Sequence, residues 1–131
     1  MIALDTNMLA RLLLQDDEVQ HQRVKALLKK PRQTYTAPVT VLLELVWVLE
    51  SRDCSVQEVV TGLTALLDLP HFKPDGESAV RQALGHYAHG MGFADALHLA
   101  LSASEQSFMT FDKSFIRQAK KLGLKPAVAL A

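Results

Sequence analysis

Apolar residues recur along this chain in two rhythms, short continuous runs and longer stretches with a helical spacing of three or four. Residues 2–4 form a short apolar run that predicts a first strand. Residues 7–14 follow as a helix with Met8, Leu9, Leu12 and Leu13 on one side. Asp16 and Asp17 precede a second helix over 18–30, where Val24, Leu27 and Leu28 form the apolar stripe and Pro31 ends the run. Thr34-Tyr35-Thr36 marks a second strand over 33–36. Pro38 suits the first turn of a helix running to about Arg52, and Ser55 suits the cap of another over 56–68. Residues 71–73 are a weak strand, and Pro74-Asp75-Gly76 is turn chemistry. Helices are expected over 77–89 and 93–105, separated by Gly90-Met91-Gly92. A strand over 108–111, a helix over 114–122 ended by Gly123, and a last strand over 126–130 complete the pattern. Strands separated by helices predict a mainly parallel central sheet with helices on its faces. No repeat or linker interrupts the sequence, so one domain over 1–131 is expected.

Composition narrows the class. The longest apolar stretch, 39–49, is broken by Thr40 and Glu44 and is too short to span a bilayer. The start has no basic leader region, and the single cysteine, Cys54, excludes an intramolecular disulfide framework and makes a zinc site improbable. A cytoplasmic protein is therefore expected, with Cys54 as a packed or idle thiol. Net charge is zero, so the total gives no hint of a nucleic-acid partner. The distribution does: residues 21–32 hold five basic side chains and no acid, and residues 113–125 hold five more and again no acid. Segregation of this kind gives a neutral protein a positive face, or else two solvated helix surfaces.

Four acids stand out against this pattern. Asp5 lies just past the first strand, followed by Thr6 and Asn7. It suits either the cap of the next helix or a ligand at the carboxyl edge of a sheet. Asp112 repeats the arrangement after the strand over 108–111, with Thr110 two residues earlier on the same side. Glu44 is the only charged residue between Arg32 and Glu50, in a helix that reads as apolar nearly all round and hence buried. A carboxylate there needs a partner, a proton or a metal ion. Asp95 sits in the first turn of an apolar helix, where the helix dipole alone can account for an acid, and His98 shares its face as an expected packing residue. Parallel strands would bring these acids to one edge. Their mutual repulsion would favour a hard divalent cation, Mg²⁺ or Mn²⁺, of the kind used by enzymes that act on phosphodiesters.

At these positions the chain resembles the PIN-domain family, and within it the VapC-like toxin ribonucleases. Leu4-Asp5-Thr6-Asn7 is similar to the opening motif, Glu44 in its apolar helix to the second acid, Phe93-Ala94-Asp95-Ala96-Leu97-His98 to the third, and Thr110-Phe111-Asp112-Lys113-Ser114-Phe115 to the fourth. The resemblance implies a three-layer α/β/α fold and Mg²⁺- or Mn²⁺-dependent endonucleolytic cleavage of RNA by in-line attack of a metal-activated water. It implies Asp5 and Asp95 as the most direct metal ligands, with Glu44 and Asp112 as supporting ligands. Thr6, Asn7 and Thr110 are the polar residues beside the acids. It also implies a homodimer and a small antitoxin partner. Arg11, Lys113 and Arg117 are candidate contacts to RNA phosphates. Two other readings compete. A PIN-like module that binds without cutting is opposed by the presence of all four acids. Phosphotransfer through an aspartyl-phosphate needs a second acid beside Asp5, where Thr6 and Asn7 stand.

Overall fold

The computed structural model describes residues 1–131, and the chain divides into two compact units, Met1–Glu77 and Ser78–Ala131. The first unit runs β1 (Ile2–Ala3), α1 (Thr6–Leu14), α2 (Glu18–Leu28), β2 (Tyr35–Thr36), α3 (Val39–Ser51) and α4 (Val56–Leu67). β1 pairs with β2 in parallel, Ile2 opposite Tyr35 and Ala3 opposite Thr36. The weak strand expected over 71–73 is a single parallel bridge from Tyr35 to Phe72, held by Tyr35 N–H to His71 O and Lys73 N–H to Tyr35 O, both 2.8 Å. Tyr35 is thus enclosed on both sides. It is fully buried, and its hydroxyl donates to the Leu27 carbonyl at 2.8 Å, which gives a buried phenol the partner it needs.

The apolar spacing accounts for the helices. α1 buries Leu9 and Ala10 and packs on α2 and α3, and α3 buries Leu42, Leu45, Val46 and Leu49. α4 buries Val59, Leu63, Leu66 and Leu67 behind a capping box. Ser55 Oγ accepts from Glu58 N–H at 3.1 Å, and the Glu58 carboxylate accepts from Ser55 N–H at 2.9 Å. One expectation fails here. α3 is not buried all round: Thr40, Glu44, Trp47 and Ser51 form an exposed stripe at helical spacing, with Trp47 67% exposed. Only one face of the helix has neighbours within the chain, and Glu44 lies on the other.

The second unit contains α5 (Glu77–Ala88, its first residue at the division), α6 (Phe93–Leu101), β3 (Ser107–Thr110), α7 (Lys113–Leu122) and β4 (Ala127–Leu130). β3 and β4 pair in parallel over four residues, from Ser107 opposite Ala127 to Thr110 opposite Leu130. α7 packs on both strands, with Phe115 stacked on Phe108 at a ring separation of 5.4 Å. Tyr87 meets Phe93 edge-on at 5.9 Å, joining α5 to α6. α6 ends at Leu101, four residues short of the expected Glu105. Ser102 Oγ donates back to the His98 carbonyl and its N–H turns to Leu99, so the serine closes the last turn instead of extending it. Every ladder in the chain is parallel, and helices and strands together make an α/β fold.

Two glycines test the backbone logic with opposite signs. Gly123 closes α7 in the left-handed region at φ 66°, whereas Gly85 lies in the helical interior of α5 with nothing within 4 Å of an added Cβ. Gly85→Ala is expected to stabilise by about 0.5–1 kcal/mol and Gly123→Ala to cost about 1 kcal/mol, as urea unfolding will show.

Candidate active site

In the first unit, Asp5 is extended (φ −85°, ψ 163°), exposed, and caps α1 by accepting from Thr6 N–H at 2.7 Å. One carboxylate oxygen therefore fixes the start of the helix, and the cap geometry leaves the second oxygen unassigned. Leu4 N–H donates to Thr36 O at 2.8 Å, which carries the β1–β2 pairing up to the acid. Side chains alternate along a strand, so Asp5 takes the side of Ala3 and of its partner Thr36. Two hydroxyls in this neighbourhood are buried without a hydrogen-bond partner, Thr6 Oγ1 and Thr36 Oγ1. Buried polar atoms are rarely left so in folded proteins, and an ordered water or an oxygen-rich ligand would satisfy them. Thr36 was not singled out from the sequence. Its signal was the Thr34-Tyr35-Thr36 alternation, which sets both threonines opposite the buried tyrosine. Asn7 is exposed one residue into the helix. Glu44 is exposed on α3 and faces solvent rather than a buried partner.

In the second unit, Asp112 caps α7 with one oxygen, Oδ1, which accepts from Ser114 N–H (2.9 Å), Ser114 Oγ–H (2.8 Å) and Phe115 N–H (3.2 Å). Thr110 Oγ1 accepts from Asp112 N–H at 3.0 Å, so the predicted neighbour shapes the turn that presents the acid. The Ser114 hydroxyl above all, then Phe115 N–H, hold the Asp112 carboxyl below the usual carboxylate range, with Arg117 adding a weaker pull. Asp95 behaves in the opposite way. It is half-buried in the first turn of α6, whose cap, Gly92, offers no side chain. Burial pushes its carboxyl up, the Asp112 carboxylate pushes it further, and His98 offsets part of the rise. The two acids therefore interact: the cap favours the charged form of Asp112, and that charge adds to the burial that disfavours the charged form of Asp95.

Such a pair fits a hard divalent cation by donor chemistry, since both partners offer only oxygen and carry like charge. No group of three or more His, Cys, Asp or Glu side chains is arranged to hold a metal ion. Cys54 is a free thiol whose pKa is raised by burial and by the Glu58 and Asp53 carboxylates, consistent with an idle thiol.

The expected phosphate contacts divide. Lys113 and Arg117 are exposed, opening α7 beside Asp112. Arg11 is committed elsewhere: Nη1 meets both Asp16 oxygens at 3.0 Å and Nε donates to Gln20 Oε1 at 2.6 Å. Asp16 also pairs with Arg52 at 3.0 Å, so Arg11 serves as a strut between α1, α2 and the end of α3.

Asp112→Ala is expected to lower the melting temperature by a few degrees because three donors lose their acceptor, whereas Asp112→Asn keeps a competent cap. Thermal denaturation of the two variants separates the capping role from any other.

Against known proteins, the family model described as PIN domain matches residues 2–121, and no curated protein matches. The match crosses the division between the units and takes in all four acids. PIN domains are generally nucleases that use divalent metal ions, which gives this chain a nuclease-like function at that coarse level. By a match over nearly its whole length, the chain belongs to the PIN-domain family.

Proposed function

We propose that this protein is a Mg²⁺- or Mn²⁺-dependent endoribonuclease, the toxin of a toxin–antitoxin pair. It acts as a single domain and a homodimer in the cytoplasm and is restrained by a small antitoxin protein. The observation that carries the reading is the Asp95–Asp112 pair: within a PIN domain, a carboxyl raised by burial sits beside a carboxylate held ionised by its cap. Asp5 and Glu44 complete the proposed ligand set by their positions in the family motifs. No helix of the structure is long and apolar enough to cross a membrane.

Asp95 and Asp5 would be the direct ligands, with Asp112 and Glu44 in support. A bound divalent cation would polarise the phosphodiester and activate water for in-line attack. The chain's own residues do the rest. The caps formed by Asp5 and Asp112 fix those two carboxylates to helix ends. Thr110 holds the turn before Asp112, and Thr6 and Asn7 supply polar support beside Asp5. Lys113 and Arg117 offer charge to neighbouring phosphates. The exposure of Glu44 suits a ligand at an open site better than a core acid.

The test is cleavage of RNA by the purified protein with Mn²⁺ and with EDTA, together with metal titration by calorimetry. Cleavage that needs the metal and is lost on chelation supports the reading. No cleavage with Mn²⁺, from protein that does not bind it, sinks the reading. Glu44→Gln should lower the rate about 10-fold or more, while Glu50→Gln, on the same helix, should leave it near wild type. Equal rates for the two variants would reduce Glu44 to a surface residue.

A further inference from the structure

We propose that the cavity between α1 and α2 is a nucleotide subsite that holds one base and one phosphate of a single-stranded RNA, with Arg23 as the phosphate contact. The inference deepens the nuclease reading and rests on it for the identity of the strand. The cavity measures about 440 Å³, within the range of pockets that hold small organic groups. One face of each helix builds it. Asn7, Met8 and Arg11 come from α1 at helical spacing, and Gln20, Arg23, Val24 and Leu27 from α2 in the same rhythm.

The lining separates by chemistry. Met8, Val24 and Leu27 form an apolar floor suited to the face of a base. Gln20 accepts from Arg11 Nε through Oε1, which leaves its Nε2–H₂ group for a base edge, and the exposed Asn7 amide stands at the other side. Unstacked bases of single-stranded RNA are read through hydrogen bonds to their edges, which the two amides can supply, while the apolar floor shields one face from water.

Charge selects the anionic backbone. Arg11 and Arg52 share the one carboxylate of Asp16, and Arg23 is exposed with no ion pair. Arg11 was the expected phosphate contact, but it is held by Asp16 and Gln20. Arg23, one helical turn from Gln20, is the cation free to move onto a phosphate. The position also fits the reaction. Asn7 is two residues beyond Asp5, and Asn7 to Arg11 spans about 6 Å along α1. A strand entering at Asp5 would pass along this groove.

The test separates the groove from the chemistry. Binding of a short single-stranded RNA is followed by fluorescence anisotropy in EDTA, where no metal-dependent cleavage occurs. Arg23→Ala should weaken binding about 3- to 10-fold and reduce the slope of log affinity against log salt by about 0.7. Lys29→Ala, an exposed cation of the same basic segment that does not line the cavity, should have less effect. The wild type should bind an intact strand more tightly than one carrying an abasic site, and Met8→Trp, which fills the floor, should remove that distinction.

Equal effects of Arg23→Ala and Lys29→Ala, or no effect of either, overturn the subsite. Arg23-dependent capture of an acidic peptide, with RNA binding unchanged by the substitution, overturns it in favour of a protein occupant. Arg23-dependent RNA binding by a protein that cuts nothing with Mn²⁺ leaves the subsite standing and removes the nuclease reading.

Discussion

Asp95→Asn is expected to lose RNA cleavage by about 100-fold or more and, in the absence of metal, to melt at a higher temperature than the wild type at pH 7. The two effects share one cause. Burial and the Asp112 carboxylate raise the Asp95 carboxyl above its ordinary value of 3.8, so the folded protein resists its ionisation. A group whose folded pKa is raised binds more protons folded than unfolded over that interval. Stability therefore falls as pH rises from 3.8 through the folded value, and the full cost persists above it. The neutral amide removes that cost. The advantage of the variant should be absent near pH 3, grow through the titration interval and level off above it. Added Mn²⁺ should raise the melting temperature of the wild type and not of the variant, since the cation stabilises only the charged pair. A metal ion's electrostatic contribution to the transition state is worth several kcal/mol, which sets the loss of rate at about 100-fold or more. A variant that cleaves normally would show that Asp95 is no ligand, and one that is less stable at pH 7 would show that its carboxylate stabilises the helix rather than costing stability.

Asp5 allows a sharper separation, because it caps α1. Asparagine caps a helix about as well as aspartate, so Asp5→Asn should leave the fold at wild-type stability while cleavage falls by about 100-fold or more. Asp5→Ala should lose the activity and about 1 kcal/mol of stability as well, since Thr6 N–H loses its acceptor. Urea denaturation and single-turnover cleavage of the same samples read both quantities. If Asp5→Asn retains full activity while Asp5→Ala is destabilised, Asp5 is a cap and nothing else.

Much of the fold was legible from local pattern. Asp17, Ser55, Asp112 and Gly123 mark helix ends, and each stands at that end in the structure. These signals are local: a cap depends on one side chain and on backbone within three residues of it. Asp95 was legible as an anomaly in an apolar helix, but the sign of its perturbation depends on Asp112, seventeen positions later. Glu44 was misread because apolar density along a helix does not say how many sides have neighbours. Trp47 and Glu44 share a face that nothing in the chain covers. The overlong α6 had a similar origin: its Ala and Leu content favours a helix to residue 105, but Ser102 closes the turn through its hydroxyl.

Arg11 illustrates the remaining gap. Its place one turn beyond Asp5 suggested a phosphate contact, and no spacing rule announced that Asp16, five residues on, would claim it along with Arg52. Thr36 shows the reverse case, a residue whose buried and unpartnered hydroxyl becomes visible only when β2 pairs with β1.

The order of helices and strands, their caps and the identity of the four acids follow from the sequence alone, because each depends on periodicity or on side chains a few residues apart. The direction in which Asp95 titrates, the exposure of Glu44, the engagement of Arg11 and the cavity beside Arg23 were decided only by tertiary structure. Each of those depends on what packing brings close and on what it leaves to water, and neither is encoded in any single segment.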